Sequence, residues 1–421
     1  MYTNSTIRIN SFEHEKGILN KKINFNCVFL FIILAFSFNF FYLIDSSIVN
    51  LTDINLILIL VWSVLVFIQN GFKFDKKISK ITLSLFLIYV VLSLTSSFQS
   101  HKLYNQPIIY GIRAQRDLIV LPLLFYPVAS LYKKNKISLE DFKKTIFLFS
   151  VVEMVVGYLQ FILQNQVTFV NLYVSERYSS LRFGFDTLLL AFSMHDCLTE
   201  AIKGKNRVRN YIFVIASILF PIIVIRWRMV ILQFLFSTLI SFFIFQKLSN
   251  KKLFFGLLII FGVILFLSST VGQDMIGLLL GTNVNDTDSI REVGRNFYFE
   301  TISKYPLFGG GFINILWNQS YIGAKLDQGI YTADNGAFGF MFSYGIFGVF
   351  LILLLYVKLI RESNMIYKTT HNQTYICYII FTLCGFITVA PLGMCSSIGL
   401  PLLIIALYME RNPIKNEMIH K

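Results

Sequence analysis

Apolar residues in this chain come in long runs that recur along nearly its whole length, separated by short polar stretches. A helix needs about 20 mostly apolar residues to cross a bilayer, so each run reads as a crossing. The pattern predicts spans at 24–44, 51–69, 81–98, 118–132, 145–163, 184–199, 210–225, 229–246, 253–271, 336–357, 374–391 and 395–410. The expected fold is therefore all-α: a polytopic membrane protein with about twelve transmembrane helices, a single integral domain over 1–421 with no internal repeat. A polar stretch, Met1–Lys22, precedes the first run, and no small-residue cleavage site follows that run. The first run is expected to be a retained helix.

Composition agrees with lipid as the solvent. Hydrophobic residues make up 55% of the chain and charged residues 14%, against about 25% charged in ordinary soluble domains. The net charge of +14 would suggest nucleic acid in a soluble protein. Here the basic residues sit in short clusters in every second loop, from Lys21/Lys22 through Lys73–Lys80, Lys133–Lys144, Lys203–Arg209 and Lys247–Lys252 to Lys358/Arg361/Lys368. That spacing is the positive-inside pattern; it predicts a multipass protein with both termini cytoplasmic, and membrane lipids, not nucleic acid, as its surroundings. The cysteines, Cys27, Cys197, Cys377, Cys384 and Cys395, lie in or beside apolar runs without metal-ligand spacing, and read as buried small hydrophobes.

On this topology 26 of the 37 Lys and Arg lie inside, and eight of the eleven outside are Arg: Arg113, Arg116, Arg177, Arg182, Arg226, Arg228, Arg291 and Arg295. Positive-inside topology accepts Lys as readily as Arg, so the external bias needs another cause. A guanidinium forks onto two phosphate oxygens at once, which an ammonium does not. The bland alternative is that such arginines anchor helix ends among lipid headgroups; it is strongest for Arg177 and Arg182.

One external loop, 272–335 between the ninth and tenth spans, is far longer than the others, and long loops in compact proteins are usually functional. A short helix is expected at about 289–304, opened by a Ser289/Glu292 capping box and stopped by Pro306 and Gly309–Gly311. Arg291 and Arg295, four apart, fall on one face near its start.

In this region the order Ser289-Ile290-Arg291, then Pro306-Leu307-Phe308-Gly309-Gly310-Gly311, then Asp334-Asn335, then Gly345–Gly348 resembles the O-antigen polymerase and ligase superfamily. Its usual pattern is Ser-Gly-Arg, a helix, Pro-Leu-x-Gly-x-Gly, His-Asn and Gly-x-x-Gly. Arg226-Trp227-Arg228 stands where that family places arginines at an outer helix end. The resemblance implies a glycosyltransferase at the outer face of the bacterial cytoplasmic membrane that acts on undecaprenyl diphosphate-linked oligosaccharide, with no nucleotide sugar, cofactor or metal. A polymerase would join O-antigen or capsule repeat units, with a chain-length regulator as a further candidate partner. A ligase would deliver the glycan to a lipid or protein acceptor.

Breaking a sugar–diphosphate bond leaves negative charge on the departing group, so fixed cations are needed there and a base near the acceptor hydroxyl. Arg226, Arg228 and Arg291 are the first candidates for the diphosphate clamp, with Arg113, Arg116 and Arg295 next. Asp334 replaces the ligases' usual His and is the candidate base, with a free pKa near ~4; Asp334 and Asn335 also serve simply to cap the next helix. That departure favours polymerase over ligase. Glu153, inside the fifth span, is a site hypothesis by default: it meets an arginine across the bundle, holds an acceptor sugar, or is a structural acid. His195 and Asp196 fall near the cytoplasmic end of the sixth span, an interfacial position. Gly339, Gly345 and Gly348 read as close helix packing. A flippase for the same lipid-linked unit is the alternative from another class, disfavoured because the two halves of the chain look unlike.

Overall fold

A computed structural model describes residues 24–44, 51–73, 75–171, 174–177, 180–243, 286–314, 336–388 and 398–413, with Ser268 and Gln273 between. The predicted ninth span, most of the long loop, Asp334, Asn335, Cys395 and the basic cluster Lys247–Lys252 lie outside the described residues. The helices are α1 (Phe25–Ser37), α2 (Leu51–Gln69), α3 (Lys76–Tyr104), α4 (Ile108–Ala114), α5 (Arg116–Val120), α6 (Phe125–Lys133) and α7 (Leu139–Leu163). After a two-stranded hairpin, β1 (Val174–Arg177) and β2 (Ser180–Phe183), come α8 (Leu188–Ile202), α9 (Arg207–Phe220), α10 (Arg228–Phe243), α11 (Asp286–Lys304), α12 (Gly336–Thr370), α13 (Thr374–Thr388) and α14 (Gly399–Arg411). The strands pair antiparallel with Ser175 opposite Arg182 and Arg177 opposite Ser180.

Five helical stretches are long and apolar enough to cross a membrane: Leu51–Gln69, Lys76–Tyr104, Leu139–Leu163, Arg207–Ile225 and Gly336–Thr370. Their outward faces stay apolar. Ile57 on α2 and Val357 on α12 are 59% and 62% exposed, and Val64, Leu83 and Phe350 are also more than half exposed. A soluble monomer rarely leaves apolar patches of more than a few hundred Å² in water, so these faces require lipid. The chain is a helical membrane protein.

The predicted fourth span is not one helix. Pro122 interrupts the run, and the backbone passes from α5 through a 3-10 turn, Leu121–Leu124, into α6, as the lost N–H and the proline ring demand. The predicted tenth span ends at 357, whereas α12 continues to Thr370 because Lys358, Arg361 and Lys368 extend it as a polar helix beyond the apolar run.

Contacts between helix ends sort the molecule into two poles. At one, Lys77 Nζ donates to Asn412 Oδ1 at 2.6 Å, Asn24 Nδ2 to the Lys136 carbonyl at 2.6 Å, and Tyr132 Oη to the Met409 carbonyl at 2.9 Å. Asp75 pairs with Lys133 and Arg411 with Glu362. This is the lysine-rich pole. The turns carrying Arg113, Arg116, the hairpin and Arg226 lie at the opposite ends of the same helices.

Asp75 starts α3 by accepting the backbone N–H groups of Lys77 and Ile78, each at 3.0 Å. Its hydrogen bond from Lys133 holds the carboxyl below the usual carboxylate range. A lowered native pKa means the bonus is present above the unfolded value of about 4 and is lost as pH falls through the native one. Asp75→Ala should cost about 1 kcal/mol, the usual worth of an N-cap, and most of that difference should vanish when thermal melts of wild type and variant in detergent are compared at strongly acidic pH.

Candidate functional site at the arginine-rich pole

Arg226 sits where α9 leaves regular geometry. Pro221 begins a single π turn, Pro221–Ile225, and Arg226 closes it, donating its backbone N–H to the Pro221 carbonyl at 2.7 Å in a left-handed conformation with φ +55°. Such π bulges collect at functional sites, and a left-handed arginine is strained relative to the glycine or asparagine usual at a helix end. The guanidinium is fixed twice. Its Nε donates to the Ile223 carbonyl at 3.0 Å, and its carbon lies 5.2 Å from the centre of the Phe161 ring on α7. Both terminal amino groups are left uncommitted among the described residues, so the fork is oriented before any anion arrives. A cation over an aromatic face gains attraction there as well. Arg228 opens α10 two residues on; its side chain lies outside the described residues.

The other arginines have separate settings. Arg113 is exposed at the end of α4. Arg116 forms an ion pair with Asp53 at the start of α2 and also donates to the Arg113 carbonyl at 3.0 Å. An acid in the first turn of the second apolar run, Asp53, was the signal for this pairing, and the sequence reading passed over it. Arg295 is exposed on α11, and the Arg291 side chain lies outside the described residues. Helix α11 begins at Asp286, so Ser289 stands inside it and is not the N-cap. Asp286 and Asp288 explain the earlier start, since acids favour a first helical turn. Arg291 thus falls in the second turn, where the helix dipole contributes less.

The glycine segment after α11 is a clamp. The backbone N–H of Gly310 donates to the Phe342 carbonyl at 2.7 Å, that of Ile346 to the Pro306 carbonyl at 2.9 Å and that of Phe347 to the Leu307 carbonyl at 3.1 Å. Helix α12 is broken at Gly345, with φ +63° and ψ −169°, and the break exposes the groups that these bonds satisfy. Gly309 and Gly311 take left-handed conformations at φ +67° and +82°. A Cβ on Gly345 would stand 2.3 Å from the Leu307 carbonyl oxygen, and one on Gly311 would meet the Ser100 backbone nitrogen at 2.4 Å. The packing expected at Gly345 is therefore backbone against backbone and not helix against helix.

A buried polar network holds the segment from the α3 side. Ser96 Oγ donates to the Ser343 carbonyl at 2.8 Å, Gln99 Nε2 to the Gly309 carbonyl at 3.0 Å, and Gln106 Nε2 to the Phe312 carbonyl at 3.0 Å. Gln106 Oε1 accepts the Asn314 N–H at 2.7 Å, and Tyr344 Oη donates to Gln115 Oε1 at 2.7 Å. Tyr298 and Ile302 of α11 pack on Phe342, placing the arginine-bearing helix directly against α12.

Glu153 is 1% exposed on α7, and neither carboxyl oxygen has a hydrogen-bond partner among the described residues. The charge that acts on it most among the described residues is another acid, Asp186, not an arginine. His195 is also 1% exposed, with Nε2 3.1 Å from Ser237 Oγ. Neighbouring helices cover it: Ser237 lies on α10, and Thr374 of α13 donates to the His195 carbonyl at 3.4 Å. Asp196 beside it pairs with Lys143 at 2.7 Å. Asp186 was missed although it falls in the predicted sixth span, where the rule that singled out Glu153 applies equally.

No family model matches the chain, and no curated protein matches it.

Proposed function

We propose that the protein is an oligosaccharide repeat-unit polymerase of the O-antigen or capsule type. It would cross the bacterial cytoplasmic membrane twelve times with both termini inside, and the arginine-rich pole would face outward. The observation that carries this reading is Arg226: a strained, half-buried guanidinium whose fork is oriented and uncommitted among the described residues, at the pole where cations are mostly Arg. In the same reading Arg228 and Arg291 complete the grip on the diphosphate of an undecaprenyl-linked donor. The docked Pro306–Gly311 segment supports it by holding α11 against α12.

In the reaction, a hydroxyl of the acceptor unit attacks the anomeric carbon of the donor sugar. The carbon–oxygen bond to the diphosphate breaks, its electron pair leaves with the lipid diphosphate, and the hydroxyl proton passes to a base. Asp334 is the proposed base. The guanidinium groups act on the charge that grows on the leaving oxygen, where fixed cations are worth most.

Deletion of the gene tests this reading through the cell's surface glycans. A polymerase deletion leaves single repeat units on the final acceptor. Polymer stranded on the lipid carrier would instead indicate a ligase, and lipid-linked units trapped on the cytoplasmic face a flippase; either outcome overturns the polymerase assignment.

A further inference from the structure

Two long helices measure the thickness of the apolar layer. At the lysine-rich pole Lys77 of α3 and Glu362 of α12 stand at one level, because Lys77 bonds to Asn412 and Glu362 pairs with the adjacent Arg411. Toward the other pole, Ser96 of α3 donates to the Ser343 carbonyl of α12 at 2.8 Å. Each path covers nineteen residues, about 28 Å of helix, close to the hydrocarbon thickness of about 30 Å. The Ser96–Ser343 bond therefore marks the edge of the hydrocarbon at the arginine-rich pole.

The turn that follows α11 lies on the lipid side of that edge. Its Pro306 and Leu307 carbonyls are held by the N–H groups of Ile346 and Phe347, three and four residues deeper than Ser343, about 5 Å within the layer. Leu307 is 56% exposed and Phe308 is exposed too. Phe308 packs its ring 5.7 Å from that of Phe347. The turn thereby continues the exposed apolar surface of α12, where Ile346 is 51% exposed and Phe350 more than half.

Its backbone is provided for as lipid requires. A turn in water can leave its carbonyls to the solvent, whereas non-helical backbone at membrane depth persists only where the protein satisfies it. Here the carbonyls of Tyr305, Pro306, Leu307 and Gly309 all accept, from the N–H groups of Gly309 at 2.8 Å, Ile346 at 2.9 Å and Phe347 at 3.1 Å and from Gln99 Nε2 at 3.0 Å. Pro306 has no N–H to satisfy. The side chains Tyr305 to Phe308 carry no charge. Just before them, the exposed Glu300–Lys304 pair closes α11 and Tyr305 follows, the order of residue types found where a chain enters the headgroup layer.

We propose that Tyr305–Phe308 is a wedge inserted among the acyl chains of the leaflet at the arginine-rich pole. The occupant of this surface is lipid, because the surface is continuous with the lipid-facing side of α12 and its backbone asks nothing of water. On its inner side Tyr298 and Ile302 pack α11 against Phe342. Lipid on one side and α12 on the other thus hold α11, with Arg295 exposed on it, beside the headgroups. The chain between α11 and α12 is then a re-entrant piece of the membrane domain and not a free loop.

The test uses the unmodified full-length protein in nanodiscs that contain a phospholipid with a photoactivatable diazirine on its acyl chain, and a parallel sample exposed to hydroxyl radicals. Peptide mass spectrometry should find acyl adducts on Tyr305–Phe308 at a yield within a few-fold of that on Phe350, and oxidation of Leu307 and Phe308 no greater than that of Phe350. Strong oxidation of the turn without acyl adducts would place it in water, open to a soluble partner. Absence of both marks would mean that protein covers it. Either result overturns the proposal, and neither readout depends on glycan synthesis.

Discussion

Arg226→Lys is expected to lower repeat-unit polymerisation about 10²- to 10³-fold, the range seen when one preorganised donor to a developing negative charge is lost. Lysine keeps the charge, and so keeps any anchoring of the helix end at headgroups. It loses the planar fork, the Nε bond to Ile223 and the ring contact with Phe161 that together aim the group,. The substitution therefore separates the two readings of this arginine. An anchor predicts glycan chains of normal length, whereas a clamp predicts their loss with normal insertion in the membrane. Arg228→Lys and Arg291→Lys should behave alike if they share the diphosphate. Lys304→Gln is the control: that side chain is exposed on α11 and, among the described residues, pairs with Glu300 one turn away at 2.7 Å, so chain length should not change. Glycans resolved by size from cells carrying each variant, at matched membrane levels of protein, provide the measurement. Unchanged length in Arg226→Lys, Arg228→Lys and Arg291→Lys together would remove the basis for the site.

Gly345→Ala should destabilise the protein by roughly 2 to 6 kcal/mol, the sum of two separate costs. The backbone there occupies a region open essentially to glycine alone,. The added methyl would also stand far inside the contact distance of the Leu307 carbonyl oxygen, a backbone atom without freedom to retreat. Gly71→Ala isolates the first kind of cost, since Gly71 is left-handed at φ +65° but nothing lies within 4 Å of its would-be Cβ. It should lose only about 1 to 2 kcal/mol. Thermal melts in detergent compare the two, and hydrogen exchange locates the damage: Gly345→Ala should raise exchange at Leu307–Gly311 and leave α1 and α2 alone. Equal stability of the two variants would mean that the glycine segment does not depend on the break in α12.

These two positions differ in how far the sequence disclosed them. Long apolar runs announce helices in lipid whatever their neighbours are, so the helical membrane architecture was legible from hydropathy. A break at Gly345 was not, because a glycine in an apolar run reads equally as close helix packing and as a kink. Only the carbonyls of Pro306 and Leu307, forty residues away in the chain, decide between them. The 3-10 turn inside the fourth apolar run had a local cause that was visible: Pro122 sits within it.

For the site, charge type was readable and pairing was not. The bias toward Arg at one pole follows from counting, but the capture of Arg116 by Asp53 and the support of Arg226 by Phe161 depend on which helices adjoin. Glu153 stood out as an acid in lipid, and its reading as a partner of arginine came from assuming that opposite charges meet. The fold brings Asp186 there instead.

The central claim is that fixed guanidinium groups at one pole grip a lipid diphosphate while its sugar is transferred. Its most direct test is reconstitution: the purified full-length protein in liposomes, given lipid-linked repeat units recovered from a deletion strain, with glycan length read over time. Without any nucleotide sugar, the wild-type protein should build a ladder of lipid-linked polymer, and Arg226→Lys should leave single units. A wild-type protein that binds the lipid-linked unit yet leaves it unextended would contradict the account.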